Sequence, residues 1–497
     1  MSSVVSSIFF QNHRRNSTSG GRAPVVPPHR LISQPTIIVA VLVLDALAVV
    51  LAGAATYGSG RVAANTDDLG FLALAGVAGG VLAVLGARWA YTIRALCSAA
   101  RQAFEIALGL VLSLAGFVVC EALAGAYAPD QRSWLLDWFL AALALCVATR
   151  LVVARLLARW SREGRLGRRA VVVGGGDATT ELIQRLDRTA SDAIQILGLF
   201  DDRDKLRSPE QVGGYCKLGR FDDLVEFCRA QRVDLLIVAL PPSAEDRILE
   251  LLKQLWVLPI DVRVAALGGK LKLASRAYNY IGEAPFLPLF DKPMSDGAVA
   301  LKIIEDRVLA TIALVLLAPV MALVAIAVKL DSRGPVLFKQ IRYGFNNEKI
   351  EVYKFRSMYI DQADADAVKA VTRGDPRVTR VGRFIRKTSL DELPQLFNVA
   401  FKGNLALVGP RPHAVQGHAE NRLYDEVVDG YFARHRVKPG ITGWAQINGW
   451  RGETDTAEKI EQRVAHDLFY IENWSMLFDL RILALTPLSL VTTKNAY

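Results

Sequence analysis

The chain has 497 residues, of which 52% are hydrophobic and 22% are charged, and its mean hydropathy is +0.25. This composition is too apolar for an ordinary soluble protein and too charged for a pure membrane channel, and the length predicts roughly three domain-sized units. A net charge of +10 would suit nucleic acid, anionic lipid or a phosphorylated substrate. The five cysteines lack CxxC or CxxH spacing, which argues against a zinc site or a disulfide framework.

The first 160 residues predict a tail followed by a membrane bundle. Residues 1–30 are polar and basic without an apolar period, which is typical of a disordered tail. In residues 31–160 there are four apolar runs, each close to the roughly 20 residues that a transmembrane helix needs. These runs lie at about 35–57, 69–87, 103–127 and 134–157. Acidic residues in or near them indicate helices that pack together, namely Asp45, Glu105, Glu121 and Asp137.

Basic residues predict the orientation of this bundle. Arginines are concentrated in the tail, in the second loop and in the segment after the fourth run. Because such residues favour the cytoplasmic side, we expect both ends of the bundle to face the cytoplasm. An even number of spanning helices agrees with this topology.

Residues 165–290 predict an α/β domain. In "RRAVVVGGGDATTELIQRL" a β-branched run, a triple glycine and a helical pattern follow one another, which predicts the first unit of a doubly wound, Rossmann-like sheet. Residues 234–240 and 259–264 predict later buried strands. Asp201 follows Gly174 by 27 residues and would be the acidic residue of a dinucleotide site, but Thr179 occupies the place of the third glycine. We therefore expect a structural or regulatory module rather than a dinucleotide site.

A fifth apolar run, residues 307–330, precedes the last region. If this run crossed the bilayer, everything after it would lie outside the cell, yet basic residues flank it on both sides. Pro319 lies at its middle, where it removes one helical hydrogen bond and favours a bend. We expect a re-entrant helix–break–helix that enters one leaflet and returns; a fifth true span is the alternative.

The stretch "TSLDELPQLFNV" sets two carboxylates, Asp391 and Glu392, side by side. Ser389 and Glu392 have capping-box spacing, but Pro394 would then fall past the free donors of the first turn. The two carboxylates point about 100° apart if the segment is helical, so they are expected to have different roles. Either interpretation, a helix cap or catalytic chemistry, is compatible with the spacing alone.

Basic and glycine-rich motifs surround this pair. They are "EVYKFRSM", "RFIRKTSLDE", "LVGPRPH" and "RHRVKPGITGWAQINGW". Their cations have the chemistry to bind phosphate oxygens, and their glycines and prolines predict rigid turns that bring backbone close to a ligand. The cations are Lys354, Arg356, Arg386, Arg411 and Lys438. Together with the carboxylates and the membrane helix, they indicate phosphoryl transfer at the bilayer surface.

Residues 300–497 resemble the bacterial sugar transferase family, the polyprenyl-phosphate hexose-1-phosphate transferases. The resemblance rests on KFRSM, SLDELPQLFNV, VGPRP, KPGITGWAQINGWRGET and DLFYIENWSMLFDLRILALT. It extends over nearly the whole chain, because the long form of that family combines four spanning helices, a Rossmann-like module and this domain. The fold it implies is a membrane α-helical bundle, an α/β Rossmann-like module and an α/β-type monotopic catalytic domain with a re-entrant helix.

The resemblance also implies a reaction. Asp391 would attack the sugar-bearing phosphorus of a UDP-hexose and release UMP, and undecaprenyl phosphate would then take the phospho-sugar, the first step of exopolysaccharide assembly. Glu392 would hold Mg²⁺. The cations would bind phosphate, and Gly440, Gly443 and Gln446 would shape the nucleotide end. Asp467 and Asp479 are candidate acids that would position the catalytic residues without contacting the substrates. This chain has Ala318 where many relatives have Ser, which leaves the break in the membrane helix to Pro319 alone.

The partners expected are a UDP-hexose, undecaprenyl phosphate and the bilayer, with no nucleic acid. We expect the bacterial inner (cytoplasmic) membrane, with the catalytic domain facing the cytoplasm, and a homodimer through the helices or the Rossmann-like module. UDP-glucose is the expected donor and UDP-galactose the alternative. A membrane-anchored, NAD-dependent nucleotide-sugar enzyme would need a Tyr-x-x-x-Lys pair, which residues 165–290 lack. A non-catalytic scaffold or transporter would not need the motif set.

Overall fold

A computed structural model of the chain describes residues 33–492 apart from several short segments. The segments outside the description are 58–66, 89, 97, 125–130, 163–165, 190–193, 204–209, 241–244, 267–278, 361–374, 413–417, 420–421, 424–427, 429, 451 and 453–455. The predicted basic tail, residues 1–30, also lies outside the described residues. The chain divides into two compact units, with the described residues up to Gly167 in one and those from Arg168 onward in the other.

The first unit is a helical bundle. Its helices are α1 (Gln34–Tyr57), α2 (Asp67–Ala87), α3 (Ile93–Leu96), α4 (Ala99–Leu123) and α5 (Gln131–Arg162). The four long helices coincide with the four apolar runs, as predicted. By length and composition α1, α4 and α5 contain stretches able to cross a membrane, whereas the apolar stretch found in α2 is shorter, Ala73–Ala87. Large apolar side chains such as Leu51, Val119 and Leu140 are exposed on the outside of the bundle, as expected of a lipid-facing surface.

Two ion pairs join the helices of the bundle, and the one between Arg150 and Asp45 is buried. Arg150 Nη2 lies 2.5 Å from Asp45 Oδ2, and the Tyr91 hydroxyl donates to the same carboxylate oxygen at 3.0 Å. Arg88 pairs with Glu105. Because an unpaired charge is costly in an apolar surrounding, these pairs favour one arrangement of the helices. The predicted role of Asp45 and Glu105 in helix packing agrees with these contacts.

The second unit begins with an eight-stranded mixed sheet. Its strands are β1 (Arg168–Val173), β2 (Ile194–Phe200), β3 (Gln211–Val212), β4 (Tyr215–Gly219), β5 (Leu235–Val238), β6 (Asp261–Ala265), β7 (Asn279–Ile281) and β8 (Ala284–Phe290), in the order β3-β4-β2-β1-β5-β6-β8-β7. The central strands are parallel, with Ala170 opposite both Ile196 and Leu235, and the edges are antiparallel. The two segments predicted as later strands form β5 and β6.

Helices cover both faces of this sheet domain. They are α6 (Asp177–Thr189), α7 (Phe221–Ala230) and α8 (Glu245–Leu255). Ala170 and Val172 pack with α6 in one layer, whereas Val171 and Val173 pack with α7 and α8 in the other. Burial on both faces explains why β1 and β5 have continuous apolar sequences rather than alternating ones.

The long helix α9 (Asp296–Asp331) follows the sheet domain, and its start and its continuity both differ from prediction. It begins eleven residues before the predicted start, because the Ser295 side chain caps it by accepting from Ala298 N at 3.2 Å. The helix continues through Pro319, so the expected helix–break–helix is wrong at the level of secondary structure. Proline removes a single helical hydrogen bond while its fixed φ fits a helix, so it favours a bend without ending the helix.

Both ends of α9 contact the domain that follows it. Near its start, Asp306 Oδ1 accepts a hydrogen bond from Leu407 N at 2.9 Å. At its end, Val328 packs with Phe355 and Ile385. The outward side of the helix is apolar, and Leu316, Leu323 and Leu330 are each at least 69% exposed. The helix therefore has one face on protein and one face suited to lipid, and its length and composition would allow it to cross a membrane.

The last region combines short strands with helical segments. Its elements are β9 (Leu337–Tyr343), β10 (Lys349–Phe355), α10 (Arg380–Lys387), α11 (Gln395–Phe397), β11 (Ala406–Val408), β12 (His418–Ala419), β13 (Arg422–Leu423), β14 (Gly440–Thr442), α12 (Trp444–Ile447), α13 (Ala457–Glu472) and α14 (Met476–Thr492). β9 and β10 form an antiparallel hairpin, and β11 pairs in parallel with β14. The core between α9, β11, α13 and α14 includes Ala310, Val408, Tyr470 and Ile482.

Candidate active site

The two adjacent carboxylates lie on a single turn of 3-10 helix, Leu390–Glu392, directly after α10. Ser389 enters this turn with φ +59°, a left-handed conformation that is uncommon for residues other than glycine. Its side chain makes no capping hydrogen bond, so the capping-box interpretation is wrong. Backbone strain in a non-glycine residue next to two acids is typical of a functional site.

Glu392 is held by two cations. Its Oε1 accepts hydrogen bonds from Lys354 Nζ at 3.0 Å and from Arg411 Nη2 at 2.6 Å, and its Oε2 accepts from Arg411 Nη1 at 3.3 Å. Burial would raise the pKa of Glu392, but the charges and hydrogen bonds of Arg411 and Lys354 outweigh it and hold the pKa below its ordinary range. Glu392 is therefore a carboxylate that stays ionised at neutral pH.

Asp391 has the opposite surroundings. It is buried, and within the described part of the chain its carboxylate has no hydrogen-bond or ion-pair partner. Burial raises the pKa of Asp391 to about 6, and the adjacent charge of Glu392 adds to the rise. The positive charges of Lys354, Arg386 and Arg411 act in the opposite direction and lower this pKa. A poorly solvated carboxylate without a partner is well suited to attack an electrophile, so the geometry favours chemistry over capping.

Two glycine-containing motifs meet behind Arg411. Gly409 of GPRP lies against Gly440 and Gly443 of KPGITG, and a β-carbon at Gly440 or Gly443 would collide with the Gly409 backbone. Pairing of β11 with β14 continues through this contact, since Gly440 N donates to Pro410 O at 3.0 Å. The predicted close backbone approach is thus present, but between the two motifs themselves. Its effect is to fix the loop that carries Arg411.

Of the predicted cations, three face the carboxylate pair and two lie elsewhere. Lys354, Arg386 and Arg411 act electrostatically on Asp391. Arg356 instead donates to Val328 O and to Ser332 O at 3.3 and 2.6 Å, so it satisfies the free carbonyls at the end of α9. Lys438 lies near Asp306, Arg307 and Lys302 at the other end of that helix. Arg356 therefore belongs to the attachment of α9, and Lys438 lies near the other end of that helix rather than beside the carboxylate pair.

Gln446 lies beside the glycine contact. It is buried in α12, its Nε2 donates to Ile441 O at 3.4 Å, and its Oε1 is buried without a hydrogen-bond partner in the described residues. A buried amide oxygen without a partner is costly unless something else satisfies it. This geometry is compatible with the predicted contact to a nucleotide.

The two tail acids support the site in different ways. Asp467 pairs with Arg434 at 2.6 Å, and Arg434 in turn donates to Arg411 O at 2.8 Å. Asp467 is therefore connected to Arg411 through Arg434. Asp479 is fully buried and accepts from the Tyr470 hydroxyl and from Trp474 Nε1, at 2.8 and 3.0 Å. Its ion pair with Lys302 at 2.8 Å joins α14 to α9. Both acids are buried and paired with a cation.

Two residues of the site were missed from the sequence, Asn398 and Arg434. The Asn398 side chain accepts from Tyr353 N at 3.0 Å and donates to Glu351 O at 2.6 Å, which ties the end of TSLDELPQLFNV to β10. This contact places Lys354, on β10, beside Glu392. The only signal in the sequence was a polar residue inside an apolar run, and such residues are ordinarily hydrogen-bonded when buried.

Among the residues that the structure describes, the candidate site shows no resident Mg²⁺ site of three or more ligands. Within the described residues no cluster of three or more His, Cys, Asp or Glu side chains is placed to hold a metal. Glu392, the predicted ligand, is already neutralised by Lys354 and Arg411. Mg²⁺ in such sites is bound largely by substrate phosphates and water, with one or two carboxylates. The arrangement therefore fits an ion that arrives with a diphosphate better than one held by the free protein.

The glycine-rich turn of the sheet domain has a partner of its own. Gly174 and Gly176 adopt positive φ values, +121° and +100°, and Arg203 Nη1 donates to Gly175 O at 3.2 Å. Thr179, in the place of the third glycine, is fully buried. The arginine side chain thus contacts the turn at which a dinucleotide phosphate would be expected.

Family models match most of the chain after the first 86 residues. A model described as bacterial sugar transferase matches residues 297–493, which contain the carboxylate pair. A second model, described as a CoA-binding domain, matches residues 87–266.

Curated relatives agree with the first of these models. The chain is 40% identical over 369 residues, 74% of its length, to 76% of a protein from Escherichia coli (strain K12) named UDP-glucose:undecaprenyl-phosphate glucose-1-phosphate transferase. It is 38% identical over 360 residues, 72% of its length, to 76% of a Klebsiella pneumoniae protein of the same name. A Rhizobium leguminosarum bv. phaseoli protein named exopolysaccharide production protein PSS is 48% identical over 185 residues, 37% of this chain and 92% of that relative.

Proposed function

Because the chain belongs to the bacterial sugar transferase family, we propose that it transfers glucose-1-phosphate from UDP-glucose to undecaprenyl phosphate. The products are UMP and undecaprenyl-diphospho-glucose, the first lipid-linked unit of an exopolysaccharide. The names of the relatives supply the substrates. The observation that carries the chemistry is the buried Asp391 carboxylate, which has no hydrogen-bond or ion-pair partner among the residues that the structure describes. It lies beside a Glu392 held by Lys354 and Arg411.

In the proposed first step, an Asp391 oxygen attacks the phosphorus that bears the sugar. A bond forms between this oxygen and phosphorus while the bond from phosphorus to the bridging oxygen breaks, and UMP leaves with that electron pair. In the second step, an oxygen of undecaprenyl phosphate attacks the same phosphorus and the Asp391 carboxylate leaves. Two displacements through an enzyme-bound phospho-sugar are the general logic of nucleophilic catalysis.

The cations have a defined part in both steps. Lys354 and Arg411 are held in place by Glu392, and Arg386 lies close enough to act on Asp391. Charged donors fixed before the substrate arrives stabilise charge on phosphate oxygens without reorganising, which favours the transition state. We propose that Mg²⁺ enters with the diphosphate of the donor, where it neutralises part of the phosphate charge.

We propose that α9 is re-entrant, bent at Pro319, and that the catalytic region faces the cytoplasm at the inner membrane. Contacts of both helix ends with the same domain support this placement, since Asp306 accepts from Leu407 N and Val328 O accepts from Arg356. Basic residues on both flanks support it as well. This placement would bring Asp391 to the depth at which a lipid phosphate lies.

The sheet domain is proposed to be a Rossmann-like module with a structural or regulatory role. Central parallel strands, helices on both faces and the match to a CoA-binding domain family support the first part. The second part is supported by Thr179, whose buried side chain occupies the place of the third glycine of a dinucleotide fingerprint. The homodimer stays a prediction.

A donor panel tests the proposed function. Purified protein in nanodiscs is mixed with undecaprenyl phosphate, Mg²⁺ and UDP-glucose, UDP-galactose or UDP-N-acetylglucosamine, each labelled in the sugar. We expect UMP and an organic-soluble labelled lipid from UDP-glucose. Transfer from UDP-galactose alone would identify the alternative donor, and no lipid product with any donor would contradict the proposal.

A further inference from the structure

Arg434 links three parts of the catalytic region through one guanidinium. It lies in the 3-10 helix Tyr431–Arg436, is fully buried, and its Nη2 lies 2.6 Å from Asp467 Oδ2 in α13. The same Nη2 donates to the main-chain carbonyl of Arg411 at 2.8 Å. Burying an ion pair is costly, and the hydrogen bond to the Arg411 carbonyl connects this buried pair to the candidate active site.

The hydrogen bond from Arg434 to the Arg411 carbonyl bears on the position of Arg411. The Arg411 loop is tied to its surroundings by the hydrogen bond from Gly440 N to Pro410 O and by the one from Arg434 to Arg411 O. From that position the Arg411 guanidinium reaches both oxygens of Glu392. A bidentate pair demands accurate placement, because a shift of the main chain by about 1 Å breaks one or both hydrogen bonds.

The outer side of the same segment is held by the sheet domain. Gly430, at φ +71°, lies so close to the Trp256 ring that a β-carbon would have no room, and the Arg229 guanidinium lies 5.1 Å from the centre of the Phe432 ring. Asn346, next to the segment, donates to Cys228 O at 3.4 Å. The segment Gly430–Arg436 is therefore packed between α7 and Trp256, the residue after α8, on one side and the Arg411 loop on the other.

We propose that Arg434 is a positioning residue for Arg411, and that the sheet domain holds the segment Gly430–Arg436 in the position this requires. The proposal rests on the proposed function and assigns a part in it to residues that do not touch the substrates. Loss of the Arg434 contact would let the Arg411 guanidinium leave Glu392. The carboxylate pair would then lose one of the positive charges that face it, which are those of Lys354 on β10, Arg386 on α10 and Arg411 after β11.

The first test removes the contact of Arg434 with the Arg411 carbonyl without leaving a buried charge unpaired. Arg434→Met alone would leave Asp467 unpaired, so the test variant is Arg434→Met combined with Asp467→Leu, a replacement that buried ion pairs often tolerate. Asp467→Asn, which keeps an acceptor of the same size, is the second variant in case the double variant does not fold. UMP release from UDP-glucose is measured against pH, with the wild type as the reference that tests the proposed function itself.

We expect the double variant to release UMP roughly tenfold or more slowly than the wild type, with the pH midpoint of the rate moved upward. Asp467→Asn should give a smaller decrease and a shift in the same direction. A merely structural ion pair would change the melting temperature but not the pH midpoint. Wild-type rates and midpoints in a folded double variant, or in Asp467→Asn where the double variant fails to fold, would overturn the positioning role.

The second test concerns the contact between Gly430 and the Trp256 ring. Trp256→Ala removes the ring that lies against Gly430, and Leu249→Ala, an exposed position in α8, is the matched control. We expect Trp256→Ala to slow UMP release by roughly 2- to 30-fold with an upward pH midpoint, and Leu249→Ala to leave both unchanged. Equal rates and midpoints in Trp256→Ala and Leu249→Ala would overturn the part assigned to the sheet domain.

Discussion

Glu392 accepts hydrogen bonds from both terminal nitrogens of Arg411, at 2.6 and 3.3 Å, in a site largely closed to solvent. Asp391, one residue earlier, shares none of these bonds. Two adjacent carboxylates thus have environments that move their pKa values in opposite directions. Such a separation is the arrangement required by the proposed function, in which one carboxylate holds cations and the other reacts.

The pH dependence of the first half-reaction follows from Asp391. Its pKa is raised to about 6, and the attacking form is the ionised one. The rate of UMP release should therefore be low well below pH 6, rise as the pH passes through about 6, and level off above it. Rapid-quench measurement of UMP over a pH series checks this. A rate that stays constant from pH 5 to 8 would contradict the assignment.

Glu392→Gln removes the charge that Lys354 and Arg411 share. We expect both half-reactions to slow, because the two cations lose the group that places them. The pH midpoint of UMP release should fall, since a negative neighbour that raises the pKa of Asp391 is gone. Rates of both half-reactions over a pH series with the variant check both expectations. An unchanged midpoint would show that Glu392 does not act on Asp391.

Arg411→Lys keeps the positive charge but removes the planar guanidinium group that donates to both oxygens of Glu392. Losing one hydrogen bond to a charged group costs about 1.5–3 kcal/mol, which corresponds to roughly 10- to 100-fold in kcat/KM for UDP-glucose. Arg383→Lys, at an exposed position of α10, is the matched control and should behave as the wild type. Equal kcat/KM for the two variants would remove Arg411 from the site.

The re-entrant placement of α9 predicts that the chain before the bundle and the catalytic region share one side of the membrane. In a cysteine-free background, single cysteines next to Arg22 and at Glu458 should resist an impermeant thiol reagent added outside intact cells. A cysteine at Asp130, in the loop expected outside, should react and serves as the control. Labelling at Glu458 alone would show that α9 crosses the bilayer.

The sequence predicted elements whose signal is local and left out contacts that depend on tertiary packing. The four apolar runs, β5 and β6 follow from composition and motif, because each pattern is continuous in the sequence. Arg356 and Lys438 were assigned to phosphate by charge alone, and the structure places them at the two ends of α9. Charge type does not reveal a partner that lies distant in sequence.

The same limit explains the residues that were missed. Arg434 stands in a run of basic residues, RHR, that is equally compatible with a solvated surface. Only the fold shows that it is buried between Asp467 and the Arg411 carbonyl, residues 33 and 23 positions away. At Ser389 the sequence instead predicted a contact that the structure lacks. A local capping pattern was present, but the residue adopts an αL backbone and its side chain does not cap the turn.

The central claim is that Asp391 forms a covalent bond to the phospho-sugar, and UMP release without a lipid acceptor tests it most directly. Enzyme in nanodiscs free of undecaprenyl phosphate is mixed with UDP-glucose and Mg²⁺, and UMP is counted per enzyme. The wild type should release UMP in a burst limited to about one equivalent, and Asp391→Asn, which keeps size and shape but loses the attacking charge, should release none at an unchanged melting temperature. Stoichiometric release of UMP by folded Asp391→Asn would contradict the covalent mechanism.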